Sequence, residues 1–212
     1  MSEHTAEIVA VEAVGSDTIT VELETPAGVD AVPGQFVTVE ATVGGESITR
    51  YYTLSSPDAE GSFEVTVEVD PDGELGPWLA EAEPGTTVEI GGPFGRAHYE
   101  GEDRLVVIAG GPGVGPAVGI GERALADGNE VAVVYRDDNH VHEERLDALA
   151  DAGAPLFVLD EGCDLDDAVA EALDRVGGRA FVYGFADFVD EARSALVAAD
   201  YPLDDAKIEN FG

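Results

Sequence analysis

Cations are scarce in this chain: 10 Lys and Arg stand against 45 Asp and Glu, a formal net charge of −35 over 212 residues. Nucleic-acid binding requires a basic face, which so acidic a sequence does not supply. Nine of the cations are arginines and the tenth is Lys207. Cysteine is limited to Cys163, which excludes an internal disulfide, a thiolate zinc site and an all-cysteine iron–sulfur cluster within the chain. The apolar runs are too short to span a membrane. The opening Met1-Ser2-Glu3-His4 carries neither the basic stretch nor the apolar core of a secretion signal. A soluble, cytoplasmic protein is the expectation.

What is present is an ordinary globular apolar fraction, 44%, enough to bury a real core. The acids are spread along the chain and form no single run. That distribution favours adaptation to a salt-rich cytoplasm over an acidic patch for a cationic partner. At molar salt the Debye length falls to about 3 Å, and most of the self-repulsion disappears.

The two halves follow different patterns. Segments Glu7–Val14, Thr18–Glu24, Gln35–Glu40, Ser47–Leu54, Ser62–Val69 and Thr87–Ile90 alternate apolar with polar residues, the period of half-buried strands. Glycine and proline turn signals separate them, which predicts a six-stranded antiparallel β-barrel. From Arg104 onward, apolar strands at Leu105–Ala109, Val131–Tyr135, Leu156–Leu159 and Ala180–Tyr183 alternate with helical stretches. That rhythm predicts a doubly wound five-stranded parallel sheet of the nucleotide-binding kind. The fold class is therefore two-domain, β followed by α/β, with residues 1–98 as the barrel domain and 104–212 as the α/β domain. The polar, glycine-bounded Gly95–Asp103 forms the joint.

Two segments carry candidate chemistry. Gly110-Gly111-Pro112-Gly113-Val114-Gly115-Pro116 lies between an apolar strand and a helix. Glycines there permit a sharp turn and close ligand approach, and a helix N-terminus favours phosphate. The same glycines also suit a tight turn that binds nothing. The second segment is Arg50-Tyr51-Tyr52-Thr53. An arginine in so cation-poor a chain suits a phosphate. Strand alternation puts Arg50 and Tyr52 on one face and Tyr51 and Thr53 on the other, so Thr53 needs a local twist to share their ligand. Read alone, this is equally an ordinary strand end with an Arg–acid surface pair. His140-x-His142-Glu143-Glu144 falls at a helix start and reads as a solvated first turn, since positions i and i+2 share no helix face.

Taken in order, Arg50-x-Tyr52-Thr53, Gly73-Glu74-Leu75-Gly76-Pro77-Trp78-Leu79, Gly92-Pro93-Phe94-Gly95, Gly110–Pro116 and the closing Ile208-Glu209-Asn210-Phe211-Gly212 resemble the ordered motifs of the ferredoxin–NADP reductase superfamily. The resemblance implies a barrel holding FAD, in preference to FMN, and a second domain using NADH or NADPH as cosubstrate. It implies that Arg50 binds flavin phosphate, Tyr52 packs on the flavin, and Thr53 offers its hydroxyl to the reactive ring nitrogen. It places the pyrophosphate at backbone N–H groups near Leu75 and Gly76, and the nicotinamide-nucleotide phosphates at Gly111, Gly113 and Pro116. Glu209 and Phe211 are implied near the flavin ring. Electrons would pass onward to a separate protein such as a ferredoxin. The alternative from another class is a non-catalytic nucleotide-sensing module that keeps the architecture.

Three departures from the family pattern stand out. Gly76 replaces a Ser or Thr, which removes one hydrogen bond to the pyrophosphate. Tyr183-Gly184-Phe185 replaces Cys-Gly-Pro, which removes a thiol from beside the nicotinamide. No cysteine cluster follows. For the nucleotide, Arg136 suits the extra phosphate of NADP whereas Asp137 and Asp138 suit the ribose of NAD; the strand-terminal position of Arg136 tilts the expectation to NADP.

Overall fold

The alternating segments of the first half pair into one curled antiparallel sheet, seen in a computed structural model that describes residues 3–212. Its strands are β1 (Glu3–Ala13), β2 (Thr18–Glu24), β3 (Phe36–Val43), β4 (Glu46–Thr53), β5 (Ser62–Glu68) and β6 (Thr87–Phe94), in the order β4-β3-β6-β1-β2-β5. The two end strands meet where Leu54 bridges Val65 and the Ser55 N–H donates to the Glu64 carbonyl at 2.8 Å. This closes the barrel and leaves few free edges. Inward residues such as Leu23, Val37, Leu54, Val65 and Ile90 are almost fully buried. Each contributes roughly 1.5–3 kcal/mol by leaving water. Strands β1 and β6 run longer than the alternation suggested, because Ala6, Val88 and Gly91 stay in register past the turn-like residues. A short helix, α1 (Leu75–Ala80), caps the barrel with Leu75 and Leu79 buried.

The second half is a five-stranded parallel sheet in the order β11-β10-β7-β8-β9. Its strands are β7 (Arg104–Gly110), β8 (Glu130–Arg136), β9 (Leu156–Leu159), β10 (Arg179–Gly184) and β11 (Lys207–Asn210). Leu105, Val107 and Ala109 pack under α2 (Val114–Ala126) and α3 (Glu143–Asp151). Val106 and Ile108 face α4 (Asp166–Arg175) and α5 (Ala186–Ala198) on the opposite side. Burial on both faces explains why the central strands β7, β8 and β10 are apolar beyond their first residue, Arg136 at the end of β8 excepted. The chain reverses its winding between β7 and β10, so a crevice opens where their C-terminal ends diverge. Among the described residues no helix is long and apolar enough to cross a membrane.

The domains are pinned together. Between the sheets, Ala97 and Tyr99 are buried, and the Tyr183 hydroxyl donates to the Ala97 carbonyl. Lys207 donates to the His98 carbonyl at 2.7 Å and pairs with Glu100 and Glu102. Helix α2 lies directly on the barrel. A Cβ on Gly115 would sit 2.6 Å from Thr66 Oγ1, and one on Gly119 would sit 2.8 Å from the Ser55 carbonyl oxygen. From α3, Arg145 reaches Glu64 of the barrel at 2.9 Å, Glu122 at 2.7 Å and the Ser55 carbonyl at 2.6 Å.

Candidate functional site

A small cleft opens where the barrel faces the crevice. It has a volume of about 130 Å³ and is lined by Tyr51, Tyr52, Thr53, Thr66, Glu68, Pro112, Phe185 and Phe211. Strand β4 supplies three consecutive residues, although simple alternation separated Tyr51 and Thr53 from Tyr52. The strand leaves its β3 ladder there and swings to the Leu54–Val65 bridge. A twisting strand end can turn neighbouring side chains toward one opening. Thr53 is buried and Tyr51 is 70% exposed. Tyr52 packs against the barrel core, and burial pushes its phenol up to about 12, with the nearby Arg50 charge pulling the other way.

The floor of the cleft is aromatic. Phe36 meets Tyr51 edge-on at 5.8 Å between ring centroids, and Phe185 meets Phe211 edge-on at 5.9 Å. The Phe211 N–H donates to the Gly184 carbonyl at 3.0 Å, which fixes Phe211 beside Phe185. Glu209 lies apart from the cleft lining; its Oε2 is 3.6 Å from where a Cβ on Gly95 would stand, and burial raises its proton affinity. Arg50 is exposed, off the cleft lining, and donates to its own neighbour's carbonyl at Thr49. Leu75 and Gly76 begin α1, with Gly76 against Val69 and Asp70.

Beside the cleft lies a larger crevice of about 340 Å³ at the C-terminal ends of β7, β8 and β10. Its walls include Gly110, Gly111, Pro112, Arg136, Phe185 and Phe188. The glycines of this loop divide their work. Gly111 alone in the loop has a positive φ, 55°, and makes the turn. Gly110 and Gly113 permit close packing, since a Cβ would meet the Phe188 ring at 2.4 Å and the Tyr183 carbonyl oxygen at 2.3 Å respectively. Gly115 serves the domain interface described above, and Pro116 is buried in the first turn of α2.

Six carboxylates line this crevice: Asp17, Glu68, Asp137, Glu161, Asp187 and Glu191. Arg136 is 9% exposed and committed: it pairs with Glu191 at 2.6 Å, donates to the Cys163 carbonyl at 2.9 Å and lies over the Phe188 ring. Its position at a strand end was legible, but its partner, 55 residues downstream, was not.

His142 corrects the reading of a solvated first turn. It caps α3 in a left-handed conformation, is 8% exposed, and its Nε2 lies 2.8 Å from Thr66 Oγ1. Burial, reinforced by the Arg145 charge, lowers its pKa to about 4 and keeps it neutral. Glu143 and Glu144 do face solvent.

The residues present fit a flavin ring. The cleft offers flat aromatic walls, two threonines and an open mouth, which suits a planar ring system partly accessible to solvent.

Residues 5–99 match the family described as the oxidoreductase FAD-binding domain. The glycine betaine monooxygenase reductase subunit of Chromohalobacter salexigens is 40% identical over 88 residues, which is 40% of this chain and 24% of the relative. NADH-cytochrome b5 reductase 1 of Kluyveromyces lactis is 30% identical over 128 residues, 56% of this chain and 46% of the relative. The chain thus spans between a quarter and a half of the length of these curated relatives. A crystal structure of a ferredoxin NADP+ reductase from Neisseria gonorrhoeae with bound FAD and NADP has the same fold, with a TM-score of 0.82 at 16% identity and full coverage of both chains. Residues 5–99 thus resemble an FAD-binding oxidoreductase domain, and the whole chain shares the two-domain fold of that reductase.

Proposed function

We propose that the protein is an FAD-dependent oxidoreductase that takes hydride from a reduced nicotinamide nucleotide and passes electrons onward to a protein acceptor such as a ferredoxin. The observation that carries this reading is the meeting of the aromatic–threonine cleft with the strand-end crevice, which share Glu68, Pro112 and Phe185. A flavin in the first and a nicotinamide in the second would touch at that shared wall. Tyr51, Tyr52 and Thr53 would hold the flavin ring, with the Thr53 hydroxyl beside its reactive nitrogen. Bound FAD would supply the hydride-accepting centre, and the chain would supply proximity and electrostatic positioning. Phe211 would shield the ring until the nicotinamide arrives.

Backbone at Gly111–Val114 and the start of α2 suits the nucleotide pyrophosphate. The crevice favours NADH over NADPH, against the expectation drawn from Arg136. A 2′-phosphate adds negative charge among six carboxylates, and Arg136 is already neutralised by Glu191. The names of the relatives, reductase components serving protein partners, support an onward protein acceptor.

Protein purified in molar salt is expected to be yellow, or to become so on adding FAD, and to bleach anaerobically with NADH faster than with NADPH. Colourless protein that takes up no FAD would overturn the reading.

A further inference from the structure

Three residues belong to both cavities: Glu68, Pro112 and Phe185. Of these, only Glu68 can carry charge. It ends β5, two residues beyond Thr66 of the cleft, and its Oε2 lies 3.9 Å from where a Cβ on Gly111 would stand. Its carboxylate therefore stands at the wall where the two rings would meet under the function proposed above, on which this inference rests.

Among the described residues no cation pairs with Glu68. Arg136, the cation of the crevice, is paired with Glu191. The groups acting on Glu68 are instead Asp17 from the β1–β2 turn, Asp137 after β8 and Asp70 after β5. Burial and then these three charges raise its proton affinity. A carboxylate in this position works against the nucleotide phosphates, so mere tight binding does not account for it.

We propose that Glu68 selects the charge state of the nicotinamide ring. The reduced ring is neutral. When its C4–H bond breaks, hydrogen leaves with the bonding pair for the oxidised flavin, which is thereby reduced. The nicotinamide becomes a pyridinium with one positive charge. A carboxylate at the shared wall stabilises that charge as it develops and leaves the neutral ring unassisted, which is differential stabilisation of the kind that accelerates a reaction. Pro112 and Phe185 fix the ring plane without adding charge.

The test uses FAD-loaded protein in molar salt and two ligands, NAD+ and the tetrahydronicotinamide analogue of NADH, whose neutral ring cannot give up hydride. Calorimetry gives the ratio of their dissociation constants for wild type, Glu68→Gln and Glu68→Asp. Glu68→Gln is expected to shift the ratio against NAD+ by roughly five-fold, the size of one partly screened charge pair. Glu68→Asp is expected to keep much of the preference. A purely structural role for Glu68 would move both ligands by one factor, and that result overturns the inference alone. Failure of either ligand to bind wild type would overturn the proposed function and this inference together.

Discussion

The aromatic cleft and the strand-end crevice share one wall yet differ in how they are built. The cleft is a set of rings and threonines hung on a closing barrel strand. The crevice is a ring of carboxylates whose one arginine is internally paired. Under the proposed function the first would recognise a flat ring by shape and burial, a contact that depends little on ionic strength. The second would then take an anionic dinucleotide on backbone groups while its side chains repel it, and so would depend on screening. Acidic surface therefore extends into the crevice, and under the proposed function salt would take part in recognition as well as in solubility.

The comparison can be broken first at the joint between the two regions. His142 links α3 to Thr66 in the cleft and is held neutral, with a pKa near 4 against an ordinary 6.5. Because the folded-state value is depressed, its contribution is fully present above pH 6.5 and lost as pH falls toward 4. The unfolded chain binds the extra proton across that window, and the loss amounts to about 3 kcal/mol. Urea denaturation in molar salt at a series of pH values should show a shallower acid limb for His142→Gln than for wild type. Equal slopes would remove His142 from the joint.

A smaller effect is expected in the crevice. Glu191→Gln frees Arg136 from its ion pair, and the variant should gain affinity for NADPH relative to NADH by roughly five-fold, as one charge-assisted contact becomes available. Competition binding to the FAD-loaded protein measures this; an unchanged ratio would mean that Arg136 cannot reach a 2′-phosphate. The smallest effect belongs to flavin retention. A Cβ on Gly76 meets only ordinary contacts, the nearest being Val69 Cα at 3.5 Å. Gly76→Ser should therefore fit and tighten FAD by roughly three-fold through one added hydrogen bond. Fluorescence titration of the apoprotein with FAD would detect it.

Much of this was legible in the sequence, for identifiable reasons. Alternation in Thr18–Glu24 and Ser62–Val69 predicted β2 and β5 because their apolar residues fill the barrel core, although Thr18, Thr20 and Thr66 on the other face are buried too. The apolar strands of the second half match β7 to β10 because helices cover both faces. The glycine loop was visible as a whole, but its division of labour was not. Only tertiary contacts reveal that Gly113 packs on Tyr183 and Gly115 on Thr66, while Gly111 makes the turn. Glu68 escaped notice because it is one of 45 acids and sits at a regular polar position in an alternating strand. His142 looked solvated because helix spacing says nothing about a neighbouring domain.

The proposed function turns on hydride transfer across the wall shared by the two cavities. The direct measurement is anaerobic rapid mixing of the FAD-loaded protein in molar salt with NADH carrying hydrogen or deuterium at the transferring position. The yellow flavin absorbance should bleach with NADH and do so more slowly with the deuterated nucleotide. Flavin that stays oxidised in the presence of bound NADH would contradict the proposed function.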